Sequence, residues 1–110
     1  MTFPKIGNPA PLFTLQNQRA ETVALEQFRG SHNVVLYFYP AAMTPGCTVQ
    51  ACGMRDAAAE LAASDAIVLG VSRDPVAKLA RFAERDHLDF DLLSDPDHEV
   101  ASRYGAWGPK

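Results

Sequence analysis

Strand-like and helix-like segments alternate along most of this 110-residue chain, and that alternation restricts its fold more than any other feature. Apolar runs at residues 33–39 and 66–72 are typical of strands buried on both faces, and residues 90–95 predict a third strand. A helical pattern follows each of the three. Because parallel strands need a crossover connection, this order predicts an α/β fold with a parallel central sheet and right-handed crossovers.

The three helical segments share a starting signal. They cover residues 45–63, 75–88 and 96–105, and each begins at a proline that follows a threonine or an aspartate. A Thr or Asp side chain can cap the open N–H groups of a first turn, and proline at the first helical position loses no hydrogen bond. The sequence therefore predicts capped helix starts at three dipeptides: Thr44-Pro45, Asp74-Pro75 and Asp95-Pro96.

The part of the chain before residue 33 carries shorter patterns. Residues 12–17 and 21–25 alternate apolar and polar side chains, which predicts a short β-hairpin. Residues 25–30 can form one or two helical turns that end at Gly30.

Composition and charge exclude several classes of function. A chain of this length forms one domain, residues 1–110, and its 10 basic and 13 acidic residues are interspersed, unlike the basic surface that nucleic acids require. The longest apolar run, residues 34–43, is interrupted by Pro40 and is too short to cross a membrane, and residues 1–16 carry no secretory signal. We therefore expect a cytoplasmic protein with no nucleic-acid or membrane partner, whose thiols stay reduced.

Both cysteines of the chain, Cys47 and Cys52, lie in the stretch TPGCTVQAC. With Thr44 as the cap, Cys47 takes the third helical position, where free N–H groups and the positive end of the helix dipole favour the nucleophilic thiolate. Gly46 lets a small substrate approach the backbone, and the Thr44 hydroxyl can donate to or accept from a reacting oxygen. The stretch also follows the C-terminal end of a predicted strand, where α/β sheets usually bind ligands. The sequence predicts Cys47 as a nucleophile.

The spacing of the two cysteines restricts how they react with each other. In a continuous helix their Cα atoms would be ~8–9 Å apart, beyond the ~7 Å limit for a disulfide. A bond between Cys47 and Cys52 therefore requires at least the first helical turn to unwind, and a first turn built on Pro45 and Gly46 can do so at modest cost. The spacing predicts attack in the folded state, followed by local unfolding and resolution.

Simpler interpretations of the same residues stay open. The two cysteines could be inert buried side chains, and Thr44 and Pro45 could serve only as a helix cap. A metal site has less support, because CxxxxC lacks the usual CxxC spacing and the three histidines are not paired around it. Tyr37, Phe38 and Tyr39 are expected to form core or pocket wall. No hydrolase triad or nucleotide-binding loop is recognisable.

The segment YFYPAAMTPGCTVQACGMRD, residues 37–56, resembles the active-site segment of the bacterioferritin comigratory protein (BCP/PrxQ) class of peroxiredoxins. Pro40, Thr44 and Cys47 match the family's Pro-x-x-x-Thr-x-x-Cys signature, and residues 7–18 and 68–108 extend the likeness over nearly the whole chain. The resemblance implies a thioredoxin-like peroxiredoxin fold, with a central, mostly parallel sheet flanked by helices.

The resemblance also implies a role for each site residue. Cys47 would be the peroxidatic cysteine, oxidised by hydrogen peroxide or a small organic hydroperoxide to a sulfenic acid, and Cys52 the resolving cysteine of an intramolecular disulfide. Pro40 would shield the thiolate, and Thr44 would hydrogen-bond the peroxide. Thioredoxin or a similar dithiol protein would be the reductant, and no metal or other cofactor is expected.

The chain differs from that class at its C-terminal end. Members continue for several dozen residues past a GxWG stretch like residues 105–108, adding two strands, a helix and an arginine that contacts the thiolate. This chain stops at Lys110, so no arginine is assigned, and nothing in the sequence directs Arg55 or Arg73 to Cys47.

We therefore expect the C-terminal strands and helix to be missing and the activity to be lower than that of a full-length relative. In a family that is otherwise monomeric, the incomplete sheet edge predicts possible self-association. Two alternatives to a peroxidase stay open. One is a thiol–disulfide redox switch, against which the absence of CxxC argues, and the other is a non-catalytic fragment.

Overall fold

A mixed sheet organises the part of the chain that the structure, a computed structural model, describes: Gly7, residues 10–43 and residues 45–105. The strands in these ranges are β1 (Thr14–Gln16), β2 (Thr22–Ala24), β3 (Asn33–Phe38), β4 (Ala66–Ser72) and β5 (Asp91–Ser94). The helices are α1 (Pro45–Ala62), α2 (Val76–Asp86) and α3 (Glu99–Arg103), and a single 3₁₀ turn covers Leu25–Phe28. The strand order is β2-β1-β5-β4-β3.

The second half of the sheet is parallel and the first half antiparallel. β3, β4 and β5 run parallel, joined by crossovers that contain α1 and α2, as predicted. β1 pairs antiparallel with β2, which confirms the hairpin, and meets β5 through the single pair Gln16 and Ser94. A short turn suffices between antiparallel strands, so residues 17–21 can join β1 to β2 without a helix. The predicted α/β fold is confirmed, although the described sheet contains antiparallel as well as parallel strand pairs.

β3 and β4 have similar sequences but different surroundings. β4 lies between two strands, and six of its seven residues are buried, as predicted. The prediction that residues 33–39 are buried on both faces is wrong for β3, where Asn33 is exposed and the other five residues are only partly buried. Within the described residues β3 pairs with β4 alone and lies at an edge of the sheet. Self-association through this edge stays a prediction.

Apolar side chains cover both faces of the sheet. On the face covered by α1 and α2, one core cluster joins Val68 of β4 to Leu79 and Phe82 of α2 and includes Cys47. The opposite face carries a second cluster, in which Leu69 and Val71 of β4 take part. Alternate β4 residues therefore serve opposite faces, as the period of two in a strand requires. Burying each Leu or Phe side chain contributes about 1.5–3 kcal/mol to stability.

The three helix starts agree with the sequence to different degrees. α1 begins at Pro45 as predicted. The predicted cap at Asp74-Pro75 is wrong, because Pro75 itself is the N-cap residue of α2, and the Asp74 carboxylate accepts hydrogen bonds from another loop instead. α3 begins at Glu99 rather than at Pro96, with His98 as the N-cap in a left-handed conformation.

Asp95 nevertheless caps α3 from outside the helix. Its carboxylate oxygens accept the N–H groups of Val100 at 3.2 Å and Ala101 at 3.0 Å. The capping function predicted for this aspartate is therefore present, although the residues between it and the helix form a turn.

Candidate functional site

Cys47 lies in the first turn of α1, directly after the loop that follows β3. It is the third residue of the helix, as predicted, and its thiol is free. The residue is only 8% exposed and belongs to the core cluster between the sheet and the two long helices. Gly46 beside it is exposed, and a Cβ atom built there would meet no described atom within 4 Å. The first turn therefore leaves space for a small molecule next to a largely buried sulfur.

Cys52 lies further along the same uninterrupted helix. It is partly buried, and its thiol is free. Because α1 is continuous from Pro45 to Ala62, the helical rise of 1.5 Å per residue holds the two cysteines ~7.5 Å apart along the axis. The structure brings both thiols onto one helix and keeps them too far apart for a disulfide.

The other two predicted site residues differ in how they are placed. Pro40 is exposed in the bend after β3. Thr44 lies outside the described residues, as do residues 106–108 at the end of the predicted GxWG stretch.

Two tyrosines from the end of β3 stack beside the buried cysteine. The ring centroids of Tyr37 and Tyr39 are 5.5 Å apart, with an angle of 29° between the ring planes. Both hydroxyl oxygens are buried, and neither has a hydrogen-bond partner among the residues that the structure describes. Burial raises the pKa of each phenol, and negative charge on Cys47 raises both values further, whereas the nearby Ser72 hydroxyl lowers the pKa of Tyr39. The sequence predicted these rings as core or pocket wall, but it gave no signal of two buried hydroxyls near Cys47 that lack a hydrogen-bond partner within the described part of the chain.

Asp74 anchors the loop that precedes α1. Its carboxylate accepts hydrogen bonds from the N–H of Ala42 at 2.6 Å and the Ser72 hydroxyl at 2.7 Å, and it pairs with the Lys78 ammonium at 3.1 Å. Burial alone would raise the pKa of Asp74, but the three donors outweigh it and hold the pKa below its usual value. Next to Ala42, Met43 has a left-handed φ of 68°, an uncommon conformation for a residue with a side chain. Asp74 thus fixes a loop with a strained residue just before the cysteine helix.

Two side chains link α1 to the C-terminal end of α2. The Arg85 guanidinium donates from Nη2 to the Thr48 hydroxyl at 2.8 Å, and Arg55 donates from Nη1 to the backbone carbonyl of Asp86 at 2.8 Å. Sequence reasoning missed the contact between Thr48 and Arg85, because its partners are 37 residues apart and neither belongs to a recognisable motif.

Both arginines considered from the sequence have polar partners in other parts of the fold. Arg55 bonds to Asp86, and it also pairs with the carboxylate of Asp56 at 3.1 Å. The Nε of Arg73 donates to the carbonyl of Pro96 at 3.3 Å.

The described residues contain neither a metal-binding cluster nor a membrane-spanning helix. Within residues 10–43 and 45–105, no three His, Cys, Asp or Glu side chains lie together in a way that could hold a metal ion. None of the helices described is both long and apolar enough to span a membrane.

Comparisons with known proteins find close relatives. A family model described as the AhpC/TSA family matches residues 6–110. The chain is 54% identical over 106 residues to peroxiredoxin Bcp of Escherichia coli, a match that covers 96% of this chain and 67% of that protein.

Two solved structures have the same fold as this chain. Peroxidoxin BcpB from Mycobacterium tuberculosis has a TM-score of 0.85 and 45% identity, covering 90% of this chain and 64% of the other. A bacterioferritin comigratory protein from Xanthomonas campestris, studied for alkyl peroxide reduction, has a TM-score of 0.85 and 28% identity, covering 89% and 62%. The chain thus spans roughly two thirds of the length of these relatives.

Proposed function

Because this chain belongs to the AhpC/TSA family, we propose that it is a thiol peroxidase in which Cys47 attacks the peroxide and Cys52 resolves the product. The family match confirms the resemblance seen in the sequence, and the similarity to solved relatives confirms the predicted thioredoxin-like fold. The observation that carries the proposal is the pair of free thiols in α1, one of them buried in the first turn.

The first step oxidises Cys47. Its thiolate sulfur attacks one oxygen of the peroxide, the O–O bond breaks, and the departing oxygen takes a proton and leaves as water or an alcohol. The positive end of α1 supports this step because it stabilises the attacking thiolate. The open space over Gly46 suits hydrogen peroxide and small organic hydroperoxides. Cys47 becomes a sulfenic acid.

Pro40 and Thr44 assist this step in our proposal. Pro40, exposed after β3, would cover the entrance to the sulfur and keep bulk water from the thiolate. The role of Thr44 as the hydrogen-bonding partner of the peroxide rests on its place in the Pro-x-x-x-Thr-x-x-Cys signature.

The second step joins the two cysteines. The Cys52 sulfur displaces the hydroxyl of the sulfenic acid, which leaves as water, and an intramolecular disulfide forms. This step requires the start of α1 to unwind, since the intact helix holds the sulfurs apart. Thioredoxin or a similar dithiol protein would then reduce the disulfide. A cytoplasmic location suits this cycle, because that compartment keeps thiols reduced.

Intact mass spectrometry tests the proposal directly. The fully reduced protein is mixed with one equivalent of hydrogen peroxide and quenched over time. We expect rapid loss of two hydrogens, abolished in both Cys47→Ser and Cys52→Ser, with Cys52→Ser instead trapped as a sulfenic acid by a dione reagent. Peroxide consumption by Cys47→Ser equal to that of the parent protein would refute the mechanism.

A further inference from the structure

One side-chain hydrogen bond ties the turn that carries Cys47 to the neighbouring helix. The bond runs from Arg85 Nη2 to Thr48 Oγ1, at 2.8 Å. Thr48 directly follows Cys47 in α1, so Cys47 cannot swing towards Cys52 without displacing Thr48 and breaking this bond. The bond therefore opposes the unwinding that disulfide formation requires.

Arg85 is held in place for this contact. Its Nε and Nη2 atoms donate to the Asp86 carboxylate at 3.0 and 2.8 Å. Its guanidinium carbon lies 5.9 Å from the centroid of the Phe82 ring, and Phe82 is fully buried in the core. Because these contacts already orient the side chain, little conformational entropy is lost when it also binds Thr48.

A second tie fixes α1 beyond Cys52. Arg55, three residues after Cys52, donates to the carbonyl of Asp86 at 2.8 Å. Met54, just before Arg55, packs against the core, as do Ala58 and Leu61 further along α1. Unwinding that begins at Pro45 can therefore stop before Arg55, and Cys52 stays attached to the fixed part of the helix.

We propose that Arg85 is a positioning residue that, by holding Thr48, sets the rate at which the first turn of α1 opens and Cys47 reaches Cys52. This inference rests on the proposed function. The bond thereby controls which of two reactions the Cys47 sulfenic acid undergoes. In one, Cys52 displaces its hydroxyl as water and a disulfide forms. In the other, a second peroxide transfers an oxygen to the sulfur, leaving as water or an alcohol, and a sulfinic acid results.

The test compares matched variants. Arg85→Gln removes the guanidinium and leaves its amide donor two bonds short of the Nη2 position, and Thr48→Val removes the acceptor with little change of shape. Arg81→Gln is the control for the first, because Arg81 is exposed on the same helix and no hydrogen bond or ion pair is found for it among the described residues. Thr48→Ser is the control for the second, because it keeps the hydroxyl.

Hydrogen exchange on the reduced protein measures opening without any peroxide. The amides of residues 49–52 bond to the first four carbonyls of α1 and exchange when these turns open. We expect exchange to be about threefold to tenfold faster in Arg85→Gln and Thr48→Val, the range for a charged hydrogen bond at a partly exposed site. Exchange in Arg81→Gln and Thr48→Ser should match that of the parent. Exchange in the variant that combines Arg85→Gln with Thr48→Val should be no faster than in the faster of the two single variants. Unchanged exchange in Arg85→Gln overturns the proposal.

Oxidation then measures the consequence. After one equivalent of hydrogen peroxide, the disulfide should form faster in Arg85→Gln and Thr48→Val by the same factor as exchange. In excess peroxide, the same two variants should accumulate less sulfinic acid, seen as a gain of two oxygens in intact mass. Faster exchange with an unchanged rate of disulfide formation overturns the proposal, because opening would then not limit resolution.

A third measurement separates this inference from the peroxidase proposal. Diamide, a thiol oxidant, couples two cysteines without any peroxide chemistry. If the parent protein does not react with peroxide, the proposed function fails, but the rate of diamide-driven closure still reports on the contact between Arg85 and Thr48. Equal closure rates in the parent, Arg85→Gln and Arg81→Gln overturn the inference.

Discussion

Replacing Asp74 tests how strongly the loop before the cysteine helix depends on one buried carboxylate. The side chain accepts the N–H of Ala42 and the hydroxyl of Ser72, and the residue is 8% exposed. Asp74→Ala would leave both donors without this acceptor, and a buried donor left unsatisfied costs about 1–3 kcal/mol. We therefore expect a loss of about 2–5 kcal/mol, a large share of the ~5–15 kcal/mol that stabilises a typical domain.

The charge on Asp74 adds a dependence on pH. Its pKa in the folded protein lies below the ordinary value of 3.8 for an aspartate, so between these two values the unfolded chain binds more protons than the folded one. The contribution of the charge is therefore fully present above pH 3.8 and is lost as the pH falls through the folded-state pKa. Asp74→Asn keeps an acceptor but has no charge. Its free energy of unfolding should therefore fall furthest below that of the parent near neutral pH, and this difference should shrink in acid.

Urea unfolding of the parent and the variants, at neutral and acidic pH, measures both effects. Asp97→Ala is the matched control, because Asp97 is exposed and makes no hydrogen bond or ion pair that we find within the described ranges. We expect Asp97→Ala to lie within about 0.5 kcal/mol of the parent, as surface substitutions usually do. If Asp74→Ala were as stable as Asp97→Ala, the loop would not depend on this carboxylate and the reasoning would be refuted.

Four other substitutions test the core, a helix interior and a helix start. Tyr37→Phe removes a buried hydroxyl that has no hydrogen-bond partner among the described residues. Thermal melts should therefore show a stability equal to that of the parent or up to about 1 kcal/mol higher. A lower rate of peroxide reduction in this variant would reveal a functional role for the hydroxyl. Gly70→Ala should lower the free energy of unfolding in urea by about 1–3 kcal/mol, because the new Cβ would lie 3.0 Å from the Tyr37 ring. Gly53→Ala, at an exposed helical position with open space around it, should instead raise it by up to about 1 kcal/mol. Asp95→Ala should cost about 1–2 kcal/mol by the same assay, since two N–H groups of α3 lose their acceptor, and a neutral result would show that α3 needs no cap.

Features that depend on neighbouring residues could be predicted from the sequence. The strand β4, the hairpin and the start of α1 all follow from short patterns of apolar residues, proline and glycine. The placement of Cys47 in a first turn depended only on Pro45 and the residues around it. Because the candidate site is concentrated in one continuous segment, its two cysteines could be proposed without a structure.

Features that depend on distant partners could not be predicted. β3 and β4 have equally apolar sequences, and only the strand order places β3 at an edge of the described sheet. Asp74 precedes a proline, as capping residues often do, but a backbone donor 32 residues away captures its carboxylate. Local propensity for a cap is worth about 1 kcal/mol, so two or three buried hydrogen bonds readily override it.

The construction of α1 explains how one helix can be both stable and able to open. Its later turns are anchored by the Arg55 contact and by apolar side chains in the core. Among the described residues its first turn has few attachments. Pro45 and Gly46 are exposed, as is Val49 at the start of the next turn, and the turn is held by the buried Cys47 side chain and the bond between Arg85 and Thr48. Losing one small buried side chain and one half-exposed hydrogen bond costs a few kcal/mol at most, well below the cost of global unfolding. An opening of this size populates the unwound state at about 0.1–10%. In the proposed mechanism, that population would let Cys52 reach a Cys47 sulfenic acid, while the folded state would present Cys47 to peroxide.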